Sequence, residues 1–68
     1  MNEMNHSVRT YNAEKKCVYE NFHRTAESAY AEYVDNIRTI KRFVRKGEQF
    51  TVVRTVDGQI MTIETIEG

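Results

Sequence analysis

Three side chains in this sequence have the chemistry for covalent or acid–base work: Cys17, His6 and His23. A thiol becomes a nucleophile when an imidazole stands within hydrogen-bond reach. Cys17 and His23 are six residues apart, so in an extended strand they lie about 20 Å from each other, and only another element could bring them together. Cys17 is therefore expected to be buried and inert. His23, next to a helix cap, is expected to be an exposed junction residue, and His6 falls in a terminal stretch, residues 1–6, expected to fray. Two histidines and one cysteine at these spacings match no zinc pattern. Gly-rich phosphate loops, nucleophile elbows and H-E-x-x-H or C-x-x-C motifs are all missing from the sequence. The expectation is a chain that is not an enzyme and uses no cofactor or metal.

A second group is defined by charge. Arg38, Lys41, Arg42, Arg45 and Lys46 fall at i, i+3, i+4, i+7 and i+8 with no acid between residues 38 and 46, while Glu27, Glu32 and Asp35 precede them. On a helix such spacing gathers the cations on one side. Acids early and bases late complement the helix dipole at about 0.3 to 1 kcal/mol each, and that alone accounts for the order. The functional account is an anion-facing patch, for an acidic protein surface or a phosphate backbone. Phe43 lies about 100° from the apolar stripe of the same helix. It is expected at the edge of the core, under the connection at residues 47–49. Were it exposed beside arginines, it would have the make-up of an interface hot spot. The candidate interface is thus Arg38, Arg42, Phe43, Arg45 and Lys46.

The elements that position these residues follow from periodicity. Ala26, Tyr30, Tyr33, Ile37, Ile40 and Val44 recur at steps of 4, 3, 4, 3 and 4, with Ala29 and Val34 alongside, which is one helical stripe. Thr25 is a suitable N-cap, Glu27 favours the positive end of the dipole, and Gly47 supplies a stop, so the helix is predicted over 25–46. Beyond it, Asp57-Gly58 joins two β-branched runs, residues 49–56 and 59–66, as a hairpin with a type I′ turn. An even register from that turn pairs Arg54 with Met61 and Val52 with Ile63. It sends Phe50, Val52, Val56, Met61 and Ile63 toward the helix, and leaves Thr51, Val53, Thr55, Ile60, Thr62, Glu64 and Ile66 on the opposite face. Residues 7–11 and 16–22 read as two further strands joined by a polar turn at 12–15. The layout is then α+β, ββαββ, one helix on a four-stranded antiparallel sheet. The rival is a long helix over 12–46, or a helical pair, followed by the hairpin, because Val18 and Phe22 also extend the helical stripe. The four tyrosines, Tyr11, Tyr19, Tyr30 and Tyr33, are expected in the core with hydroxyls at the rim.

Sixty-eight residues support one domain with one small core, and a stability of about 3 to 5 kcal/mol unless a partner covers more apolar surface. Ten basic and ten acidic side chains cancel, so no overall field draws the chain to nucleic acid. A single cysteine excludes an internal disulfide and fits a reducing compartment, and no apolar run approaches a membrane span; a cytoplasmic location is expected. In size and layout the chain resembles the small host-targeting proteins of bacteriophages, a likeness of overall form that no motif carries. The expected function is a regulator or inhibitor that occupies a partner protein's surface, with self-association into a homodimer compatible with the small core. The alternative is a nucleic-acid-binding accessory protein using the basic half of the helix.

Overall fold

Five elements form in the order β1 (His6–Tyr11), β2 (Cys17–His23), α1 (Ala26–Phe43), β3 (Gln49–Val56) and β4 (Gln59–Glu67), in a computed structural model that describes residues 4–68. The strands make one antiparallel sheet in the order β2-β1-β3-β4, and α1 packs on one face of it. This is the ββαββ arrangement; the long helix over 12–46 does not form, because residues 17–23 are a strand. The expected fraying covered residues 1–6. Residues 1–3 lie outside the described residues, but His6 already opens β1, and the Asp57 N–H donates to the Asn5 carbonyl at 2.9 Å while Asn5 Nδ2 donates to Asp57 Oδ1 at 2.9 Å.

The β1–β2 turn is closed by Asn12, whose side-chain oxygen accepts from the Glu14 and Lys16 backbone N–H groups, both at 3.0 Å. In the second hairpin Asp57 (φ 53°) and Gly58 (φ 79°) both take the positive φ that a type I′ turn requires. Thr25 caps α1 as expected, its hydroxyl accepting from the Ser28 N–H at 3.2 Å.

Two boundaries differ from the sequence reading. The helix ends at Phe43, not at 46: Val44 turns extended (φ −61°, ψ 135°), and its N–H closes the last turn on the Ile40 carbonyl at 2.7 Å. Gly47 (φ 90°) instead serves a β-turn in which the Glu48 N–H donates to the Arg45 carbonyl at 2.9 Å. The hairpin register is even only at its first two pairs. Val56 faces Gln59 and Thr55 faces Ile60, but Arg54 then faces Thr62, so Met61 is an extra residue. That β-bulge reverses the inward side of everything beyond it. Ile63 consequently lies on the open face, whereas Ile66, Glu64 and Thr62 turn toward the helix. The β1–β2 pairing carries a matching bulge at Val18, between Thr10↔Tyr19 and Tyr11↔Cys17.

The core lies between sheet and helix and consists of Val8, Val52 and Ile66 against Ala29, Tyr33 and Ile37, with Val34, Ile40 and Val44 packed around it. The buried helical stripe is centred on Ala29 rather than Ala26 and Tyr30, which are exposed. Of the four tyrosines expected in the core, Tyr33 alone is buried. Tyr30 stands outside it, with its ring 6.1 Å from that of Tyr33 and 5.5 Å from the Arg54 guanidinium carbon.

Candidate functional site

The end of α1 gathers part of the basic set. Arg38 and Arg42 are exposed on the helix, one turn apart. Arg45 and Lys46 are exposed too, but because the helix stops at Phe43 they belong to the following turn and do not continue the helical row. The expected single five-cation face is therefore broken after Arg42. Lys41 is drawn aside by an ion pair with Glu64 at 3.3 Å, while Arg38, Arg42, Arg45 and Lys46 have no ion pair among the described residues.

Phe43 departs from expectation in a way that matters. It is 70% exposed, not at the core edge, because the chain turns away at Val44 and the 47–49 connection does not cover it. Its ring borders a shallow depression of about 330 Å³ formed with Ile40, Arg45, Glu48 and Phe50. Glu48 places an acid there, but its Oε1 is occupied by the Arg45 N–H at 2.8 Å.

A second, polar constellation was not foreseen. In β2 the residues facing α1 are Tyr19, Asn21 and His23, and all three converge on Glu32 of the helix. The Tyr19 hydroxyl and His23 Nε2 each hydrogen-bond the carboxylate, and Asn21 Nδ2 donates to both its oxygens at 3.2 and 3.3 Å. An ionised carboxylate only accepts, so Nε2 carries the proton. His23 Nδ1 reaches Ser28 Oγ at 3.0 Å, and this half-buried ring is structural rather than the free junction residue expected. Burial would push the Glu32 carboxyl up, but the hydrogen bonds from Tyr19, His23 and Asn21, with the nearby imidazole, outweigh it and hold the group below the usual carboxylate range. The same carboxylate, by accepting the phenolic proton, pushes Tyr19 up, with burial adding to the effect. The sequence signal was available in the alternation Tyr19, Asn21, His23, which puts three polar groups on one side of a strand. Nothing in it pointed to the helix acid they would meet.

Cys17 is exposed, contrary to expectation, because β2 is an edge strand; its thiol donates to the Tyr19 carbonyl at 3.2 Å. It does not meet His23, which sits at the other end of the same strand. Among the described residues no three His, Cys, Asp or Glu side chains are grouped so as to hold a metal ion, and no helix is long and apolar enough to cross a membrane.

The sheet face turned away from α1 is a grid. Its cross-strand rows are Phe22–Ser7–Thr55–Ile60, Glu20–Arg9–Val53–Ile63 and Cys17–Tyr11–Thr51–Thr65. The β3 residues are the floor of a trough of about 450 Å³, walled by Arg9 and Tyr11 on one side and Ile60 and Ile63 on the other. Its polar groups are largely satisfied by one another, Ser7 to Thr55 at 2.6 Å and Thr51 to Thr65 at 3.1 Å. Arg9 Nε lies 2.7 Å from Glu20 Oε2 at an angle too oblique for a hydrogen bond, so that contact is coulombic. The Tyr11 hydroxyl holds the Arg9 guanidinium more firmly protonated than usual, against burial, which opposes it by more than the Glu20 charge adds.

No known protein family, curated protein or solved structure matches this chain.

Proposed function

We propose that this chain is a non-catalytic binding protein that regulates a partner protein by occupying an acidic surface of it, with the end of α1 as the contact. The observation that carries this reading is Phe43, 70% exposed on the last residue of the helix and flanked by arginines without ion-pair partners among the described residues. An aromatic ring beside Arg side chains is the composition that concentrates binding energy at protein interfaces. The depression between Phe43 and Phe50 offers a place for an apolar side chain of the partner, and Arg42, Arg45 and Lys46 favour carboxylates around it.

The nucleic-acid reading is weaker than the sequence allowed. With Arg45 and Lys46 off the helix, the cations do not line one continuous track, and the net charge of zero supplies no general attraction. The two readings separate in one experiment. Immobilised wild-type chain, Phe43→Ala and Arg42→Glu/Arg45→Glu are used to capture binding partners from nuclease-treated cell lysate, and the same proteins are titrated with random-sequence duplex DNA at several salt concentrations. A protein captured by wild type and lost with both variants, without DNA binding near physiological salt, supports the proposal. Salt-sensitive DNA binding, with log affinity falling by about 0.9 per contacted phosphate against log salt and abolished by the double reversal, would overturn it.

A further inference from the structure

We propose that the open face of the sheet is the site at which a second copy of this chain packs, face to face, about a two-fold axis that runs along the strands between β1 and β3. This surface is separate from the end of α1, so the inference does not rest on the function proposed above.

The relief of the face is self-complementary under that one operation. Rotation about an axis parallel to the strands keeps the rows and exchanges the columns, so β1 of one copy lies over β3 of the other and β2 over β4. The ridge made by Arg9 and Tyr11 then descends into the trough floored by Val53 and Thr51 of the facing copy, and the reverse contact forms by symmetry. Phe22, 44% exposed, comes over Ile60, 61% exposed, and Ile63, 58% exposed, is covered by the stem of Glu20 of the other copy, whose carboxylate stays with Arg9. Sheets packed in this way keep their strands aligned within about 30°.

The chemistry of the face fits a dry contact with its own kind. Ser7 pairs with Thr55 and Thr51 with Thr65, so closing over them leaves no oxygen of these four hydroxyls without a hydrogen bond. Arg9 and Glu20 cancel each other's charge beside the β2 edge, so the trough lining carries one uncancelled charge, Lys15 in the β1–β2 turn. The size is sufficient. Four strands about 4.8 Å apart and about seven residues long give a footprint of roughly 19 by 23 Å, or roughly 600 Å² of accessible surface per copy once corrugation is included. Two such faces reach the roughly 1,200 Å² at which specific interfaces begin.

Sedimentation velocity across a wide concentration range tests this, with Ile63→Glu, which sets a second carboxylate against Glu20 of the facing copy, and Phe43→Ala beside wild type and far-UV circular dichroism as the check of folding. Wild type and Phe43→Ala should show a species of twice the 8.0 kDa chain mass. Ile63→Glu should raise the dissociation constant by about thirtyfold or more. A second measurement needs no loss of association: the axis places Cys17 over Thr65 of the other copy, so Thr65→Cys should give a covalent dimer with a short bismaleimide, while wild type should not. A wild-type chain that stays monomeric throughout would overturn the proposal. So would a dimer that survives Ile63→Glu, a dimer lost in Phe43→Ala, or a Thr65→Cys variant that does not cross-link.

Discussion

Glu32 shows how one side chain can tie an edge strand to a helix. Tyr19, Asn21 and His23 occupy successive inward positions of β2, and the carboxylate answers all three. Removing its charge leaves their donors facing an uncharged amide, and hydrogen bonds to charged groups are the stronger kind. Glu32→Gln is therefore expected to cost about 1 to 3 kcal/mol at neutral pH, measured by urea unfolding. The folded-state pKa of Glu32 is depressed, so its contribution is present in full above the unfolded value of about 4.3 and is lost as pH falls through the lower folded value. Wild type should lose stability relative to Glu32→Gln over that acid window. A pair of parallel stability–pH curves would show that the carboxylate is not engaged in this way. Phe43 is the opposite case at the same scale, an exposed ring whose removal should leave the melting temperature nearly unchanged while the binding it supports is lost.

Among the elements, local signals were legible wherever a residue type answers to a specific backbone need. Thr25 at the cap, Asn12 in its turn and Asp57-Gly58 in theirs each satisfy donors or tolerate φ values that other residues do not, and each was found where the sequence placed it. Gly58→Val tests the hairpin. A Cβ at Gly58 would meet nothing within 4 Å, so the cost is purely that of holding a β-branched residue at φ 79°. A loss of more than about 1 kcal/mol is expected in thermal or urea unfolding, and a variant as stable as wild type would place the strain elsewhere. What the sequence left hidden were the features set by packing. Neither Val18 nor Met61 has a type that marks a bulge, yet each shifts its edge strand by one residue. The second shift exchanges the faces of Ile63 and Ile66, and so decides which isoleucine enters the core. The helix end was hidden for a related reason, since Arg45 and Lys46 are as competent in a helix as Arg42. Only the return of the chain into β3 stops α1 at Phe43, and this both exposes that ring and splits the basic group. Both bulges lie on edge strands, where added twist discourages unwanted strand addition.

At the scale of the molecule, the core is thin, and several polar atoms work against it. His6 Nδ1, Arg54 Nε and Thr62 Oγ1 are buried without hydrogen-bond partners, each a cost of about 1 to 3 kcal/mol where no water reaches it. The sheet order adds a constraint of another kind. Each hairpin closes on itself within a short span, but the two meet only along β1–β3, whose six pairs run from His6↔Val56 to Tyr11↔Thr51 across the whole of α1. The hairpins are thus separate local structures that form on the order of microseconds, and the slow event is their docking, because the chain between Tyr11 and Thr51 must be drawn closed before any seam hydrogen bond repays the lost freedom. Val8 is fully buried at the middle of that seam. Val8→Ala should therefore lower stability by about 2 kcal/mol and do so mainly by slowing refolding, with a φ-value above about 0.5 in stopped-flow chevron measurements. An unchanged refolding rate with faster unfolding would mean that the seam closes last. In the expected case, the rate at which this chain becomes competent to bind anything is set at its centre, by a seam around Val8, a residue with no part in the depression beside the exposed phenylalanine.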